Sequence, residues 1–162
     1  MTPAEKGFLQ RNQLSEAYLD TARKWFSPLL TEFTEIFRAG QALQIMGING
    51  SQGSGKSTLA DYLCSMVEEQ HGITTICLSM DDFYLTRAQR ATLARDVHPL
   101  LASRGVPGTH DIDLAMATIN GLKSGQDEML ITRFDKSTDD RCEPSGYERV
   151  SGPVGLIIVD GW

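Results

Sequence analysis

Residues 47–60 read GINGSQGSGKSTLA, and the fold turns on what lies either side of them. Upstream, residues 42–49 (ALQIMGIN) read as a short buried strand. Downstream, residues 56–72 (KSTLADYLCSMVEEQHG) place Leu59, Leu63, Met66 and Val67 on one helical face before a stop at Gly72. A second apolar run, TTICLSM, follows at once. Strand, glycine-rich turn, helix and strand make a βαβ unit, which predicts an α/β fold with a parallel sheet covered by helices.

The turn itself matches the pattern GxxxxGK[ST] in full and sits where that pattern works, between a strand and a helix. The expected phosphate-binding residues are Gly50, Ser51, Gln52, Gly53, Ser54, Gly55, Lys56, Ser57 and Thr58. The glycines let successive backbone N–H groups turn inward around a phosphate, and the helix N-terminus adds its positive end. Lys56 would reach the outer phosphates of ATP, and the Ser57 hydroxyl would hold Mg²⁺. A chance glycine-rich turn gives no reason for the lysine.

Two further carboxylate positions stand at strand ends. LSMDDFYLT puts Asp81 and Asp82 just past the second strand, where an open α/β sheet binds ligands. A carboxylate there can take the proton of a hydroxyl attacking a γ-phosphorus, although solvated turn or cap roles are open to both, and equally so to Asp82. The last apolar run, GLIIVDGW at 155–162, is a third parallel strand that carries Asp160 to its tip. This resembles a Walker-B arrangement, in which the carboxylate serves Mg²⁺ directly or through water; a buried strand ending in a turn aspartate is the other reading.

The remaining segments say less. Apolar residues from Leu14 to Phe37 recur at helical spacing around Pro28, which predicts two helices, the second opened by Ser27 and Pro28 and closed by Gly40. TRAQRATLARD is helix-prone, and a helix is expected from near Asp111 to before Gly125, capped by Thr109 or Asp111. EMLITRF reads as a strand and residues 135–153 as a long polar loop. Arg104, His110 and Asp111 share one loop, and Arg133, Asp135, Lys136 and Arg141 another. Each group is either an anion clamp or a solvated turn. The expected organisation is an N-terminal helical segment over 1–40, packed on a P-loop domain over 41–162.

The 162 residues, 41% of them apolar, suffice for one core, and the formal charge of −6 offers no basic surface for nucleic acid or an anionic membrane. Three widely spaced cysteines without CxxC pairing suggest neither disulfides nor zinc, which fits a reducing cytoplasm. The oligomeric state is not legible.

Taken in order, GINGSQGSGKSTLA, LSMDDFYLT, RGVPGTHDIDL, RFDKSTDDR and LIIVDGW resemble the phosphoribulokinase and uridine kinase branch of P-loop kinases, and within it the D-glycerate 3-kinase group. The resemblance runs from about Gly47 to the last residue. It implies a P-loop NTPase fold of three α/β/α layers and ATP-dependent phosphorylation of a small hydroxylated acceptor, D-glycerate first, giving 3-phosphoglycerate. It gives Lys56 and Ser57 the nucleotide and Mg²⁺, Asp81 the role of general base, and Asp160 the metal. Asp82, Tyr84, Arg104, His110, Asp111 and Lys136 would lie near the acceptor.

The chain departs from the family at Asp160, where glutamate is usual, and at Asp139 and Tyr147, where relatives more often have glycine and tryptophan. Family members also continue past the Gly-Trp with more strands, a base-contacting loop and an arginine-bearing lid. The chain is therefore expected to be an N-terminal portion, a weak nucleotide binder or inactive by itself. Acceptors of the uridine or pantothenate type, and a nucleotide-dependent regulatory protein without an acceptor, are the other readings.

Overall fold

The computed structural model describes residues 1–38 and 43–161. In chain order these form α1 (Pro3–Arg11), α2 (Tyr18–Trp25), α3 (Ser27–Arg38), β1 (Gln44–Asn49), α4 (Lys56–His71), β2 (Thr75–Ser79), α5 (Arg87–Asp96) and α6 (Ile112–Lys123). Then come β3 (Glu128–Ile131), β4 (Phe134–Asp135), β5 (Asp140–Arg141), β6 (Glu148–Ser151) and β7 (Leu156–Gly161), with 3₁₀ turns at Met80–Phe83, Pro99–Ala102 and Pro144–Gly146. The chain divides into one compact unit of Met1–Leu78 with Val154–Trp162 and a second of Ser79–Pro153.

The first unit is built on the βαβ arrangement expected from the glycine-rich turn. β7 lies between β1 and β2 and runs parallel to β1, with Gln44 opposite Leu156 and Ile48 opposite Asp160. Its Leu156, Ile157 and Ile158 are wholly buried, as a strand covered on both faces requires. β1 differs from the expected buried strand. It alternates half-buried with exposed positions, because Met46 and Ile48 pack on the core while Ile45 is 49% exposed, and only β7 pairs with it among the described residues.

α4 supplies the centre of this unit's core, with Ala60, Leu63, Met66 and Val67 packed against Leu156 and Ile158. Its other buried side meets the N-terminal helices, where the Tyr62 ring takes Phe8 and Phe26 edge-on at centroid distances of 5.2 and 5.6 Å. Arg11 adds a two-nitrogen contact to Asp61. Helix α1 was not expected from the sequence. It is opened by a capping box in which the Thr2 hydroxyl accepts from Glu5 N and the Glu5 carboxylate accepts from Thr2 N, with Pro3 at the first position. Ser27 begins α3 and pairs its hydroxyl with that of Tyr62; Gly40, expected to close α3, lies outside the described residues. Cys64 on α4 and Cys77 on β2 are joined as a disulfide, which the sequence reading did not anticipate. Packing of helix on strand brings the two together, and a separation of 13 residues carries no local sign of it.

The second unit replaces much of the expected polar loop with structure. β3 and β6 form an antiparallel ladder with Ile131 opposite Glu148, and β4 and β5 form a small hairpin with Phe134 opposite Arg141. Asp111 caps α6 by accepting from Leu114 N at 3.0 Å, whereas Thr109 is fully buried and donates to the Val106 carbonyl. No helix among the described residues is long and apolar enough to cross a membrane.

Candidate active site

In the first unit the glycine-rich turn links the end of β1 to the start of α4. Gly53 and Gly55 have φ of +76° and +87°, where a side chain would strain the backbone. At Gly50 a Cβ would lie 2.9 Å from the Ser54 hydroxyl and 3.3 Å from Lys56 Cγ, so a side chain there would displace both residues of the turn. Gly55 precedes α4 without any side-chain cap, which leaves the helix's first N–H groups to an anion. Lys56 Nζ donates to the Ser51 carbonyl at 2.9 Å, folding the lysine over the turn. The Ser57 hydroxyl donates to Asp160 Oδ2 at 2.6 Å, and Asp160 is only 5% exposed. Residues 103 apart thus bring one hydroxyl and one carboxylate together at the cradle. Two hard oxygen donors fit Mg²⁺, which completes its shell with water and phosphate oxygens and needs no cage of protein ligands.

In the second unit the two adjacent aspartates have different partners. Asp82 closes the turn after β2: its Oδ2 accepts from Ser79 N at 3.1 Å and from Arg133 Nη1 at 2.5 Å, and its Oδ1 accepts from Phe134 N at 3.2 Å. Both oxygens are committed to the protein. Asp81 keeps a 24% exposed side chain and one ion pair, to Lys136 Nζ at 2.6 Å. Tyr84 stacks on His110 at 4.3 Å and meets Phe134 edge-on. His110 Nε2 is buried with no partner among the described residues, and burial holds this imidazole below its ordinary pKa against the opposing pull of Asp81.

Asp111 also receives Arg141 Nη2 at 2.7 Å; burial works against its charge, but Arg141 and the Leu114 N–H together outweigh it and hold the pKa below its ordinary value. Arg104 reaches Asp139 at 2.7 Å. Asp135 is turned back into its own loop, accepting from Ser137 N and Oγ. The structure therefore gathers Asp81 with Lys136, Tyr84 with His110, and Asp111 with Arg141, while Asp82 and Asp135 serve the backbone.

Arg90 was missed by the sequence reading. It is wholly buried on α5 and donates to the carbonyls of Leu85, Ala102 and Asp139. In sequence it is one arginine among several on a polar helix, and no spacing distinguishes it.

No family model matches the chain. Among curated proteins it is 36% identical over 126 residues to the uncharacterized kinase mug58 of Schizosaccharomyces pombe, a match covering 73% of this chain and 45% of that one. It is 34% identical over 131 residues to the chloroplastic D-glycerate 3-kinase of Arabidopsis thaliana, covering 73% of this chain and 28% of that one. The chain spans less than half the length of these relatives. Among solved structures, a D-glycerate 3-kinase from Cryptococcus neoformans superposes with a TM-score of 0.71 at 28% identity, covering 91% of this chain and 52% of that one.

Proposed function

We propose that this chain, a homologue of P-loop kinases with their α/β fold, belongs to an ATP-dependent kinase that phosphorylates a hydroxyl of a small acceptor, D-glycerate being the first candidate. The observation that carries the phosphoryl-transfer reading is the 2.6 Å hydrogen bond from Ser57 to buried Asp160 beside the uncapped start of α4. The first-turn N–H groups of α4 and Lys56 would hold the phosphates of ATP. Ser57 and Asp160 would hold Mg²⁺, which would supply positive charge to the phosphate oxygens.

Asp81 has the free carboxylate capacity that its neighbour lacks. As the acceptor oxygen bonds to the γ-phosphorus and the bridging bond to ADP breaks, Asp81 takes the hydroxyl proton. Its ion pair with Lys136 leaves a cation beside the acceptor, suited to a carboxylate-bearing alcohol. The FDKS and GTHD loops that resemble the glycerate kinase group contribute that lysine and His110. Relatives with D-glycerate 3-kinase in their names support the acceptor.

The test is ADP release by the purified chain with ATP and Mg²⁺, with and without D-glycerate, beside Lys56→Ala and Asp81→Asn. Release that needs glycerate and vanishes in both variants supports the kinase reading, and no release at all shows that this stretch of chain is not a self-sufficient enzyme. Release indifferent to glycerate, or surviving Lys56→Ala, rejects the assignment.

A further inference from the structure

Asp139 stands just before β5 with φ of +56°, in the left-handed region that aspartate tolerates better than most side chains. Two guanidinium groups converge on its carboxylate from separate segments of the second unit. Arg90, on α5, pairs with Oδ2 at 3.0 Å; Arg104, in the loop before α6, pairs with Oδ1 at 2.7 Å. The Phe134 ring faces both, 5.8 Å from each guanidinium carbon. Arg90 is fixed in addition by the Leu85, Ala102 and Asp139 carbonyls, so its position does not depend on the Asp139 side chain alone.

A rigid buried guanidinium and a second, half-exposed one, both on the same pair of oxygens, form a fork suited to a planar carboxylate. The neighbouring cations have other partners. Lys136 faces Asp81, Arg141 faces Asp111, and Arg133 faces Asp82 and Glu148. Arg90 and Arg104 share one carboxylate, which leaves a surplus of positive charge where they meet. The Asp139 side chain is 42% exposed, so the place its carboxylate fills opens to solvent.

We propose that Arg90 and Arg104 form a binding site for a small carboxylate anion, and that this chain closes the site with the Asp139 carboxylate. The choice of D-glycerate as ligand rests on the proposed acceptor, but the site needs no nucleotide, so binding without ATP is read separately from phosphoryl transfer. A chain with glycine at 139 would keep the left-handed backbone at no steric cost and offer both arginines to a ligand. Here an incoming carboxylate competes with a tethered one.

The experiment measures D-glycerate affinity without nucleotide at fixed ionic strength, with glycerol as the neutral control, following the arginine Nε–H signals by NMR. It compares the unaltered chain with Asp139→Gly, Asp139→Asn and the double variant Asp139→Gly/Arg104→Ala. Removing the tethered charge is expected to tighten D-glycerate binding by about ten-fold or more in Asp139→Gly and by less in Asp139→Asn. The gain should be absent for glycerol and lost in the double variant. Unchanged affinity in the folded single variants, or a gain that survives the loss of Arg104, overturns the proposal. Asparagine keeps an acceptor oxygen and tolerates the same backbone, so Asp139→Asn decides by the same criterion should the glycine variant fail to fold.

Discussion

Asp81 and Asp82 are chemically identical neighbours, and their positions in LSMDDFYLT leave a turn or cap role open to each. Their donors separate them. Asp82 accepts from Ser79 N, Arg133 and Phe134 N, whereas Asp81 meets only the Lys136 ammonium. Asp81→Asn is therefore expected to lower acceptor-dependent turnover by about 10²–10⁴-fold with an unchanged melting temperature, since a proton acceptor is lost and no packing with it. Asp82→Ala is expected to cost about 1–3 kcal/mol of stability, read by chemical denaturation, because Ser79 N and Phe134 N lose their partner. The reverse pattern would exchange their roles. The pair illustrates what a sequence can carry at this scale. Ser57 and Asp160 were legible because motif and strand tip fix their places, while Arg90 and Asp139 were not, because their significance lies in which distant atoms they meet.

At the scale of elements, the glycine-rich turn, α4, α5, α6 and the three strands of the sheet could be read from periodicity and punctuation. Short elements could not. β4 and β5 have two residues each, too few to show alternation, and β6 exists because β3 lies beside it. Helix α1 was readable in principle, since Thr2 and Glu5 have the spacing of a capping box and both halves of it form. Thr2→Ala should then cost about 1 kcal/mol. Truncating the wholly buried Phe8 to alanine should cost about 3–5 kcal/mol, because it removes the ring that joins α1 to α4.

Glu5 also makes this helix sensitive to acid. Hydrogen bonds from Arg23 hold its carboxyl below the ordinary range, so its stabilising contribution is complete above about pH 4.3 and is lost as the pH falls through the lower folded value. In Glu5→Gln the decline of the melting temperature below that pH should be shallower; an identical slope would assign it to other groups. His110 acts in the same direction at higher pH. Its pKa is depressed by burial, so stability is complete above about pH 6.5 and falls as the unfolded chain gains a proton that the folded one resists.

At the scale of the whole molecule, the strand that organises the sheet is the one furthest along the chain. β7 separates β1 from β2, and its pairing with β1 joins Gln44 to Leu156. Ile158, wholly buried at its centre, is where a charge would do most damage: Ile158→Asp should abolish cooperative unfolding of the first unit and nucleotide binding together. The order of the strands also sets a timetable. When β2 leaves the ribosome, the residues that must lie between it and β1 have not yet emerged, and at about 5–20 residues per second roughly 4–16 s separate the emergence of β2 from that of β7. For that interval β1, α4 and β2 are finished pieces with no common neighbour, and the nascent chain depends on whatever shields its apolar segments while it waits.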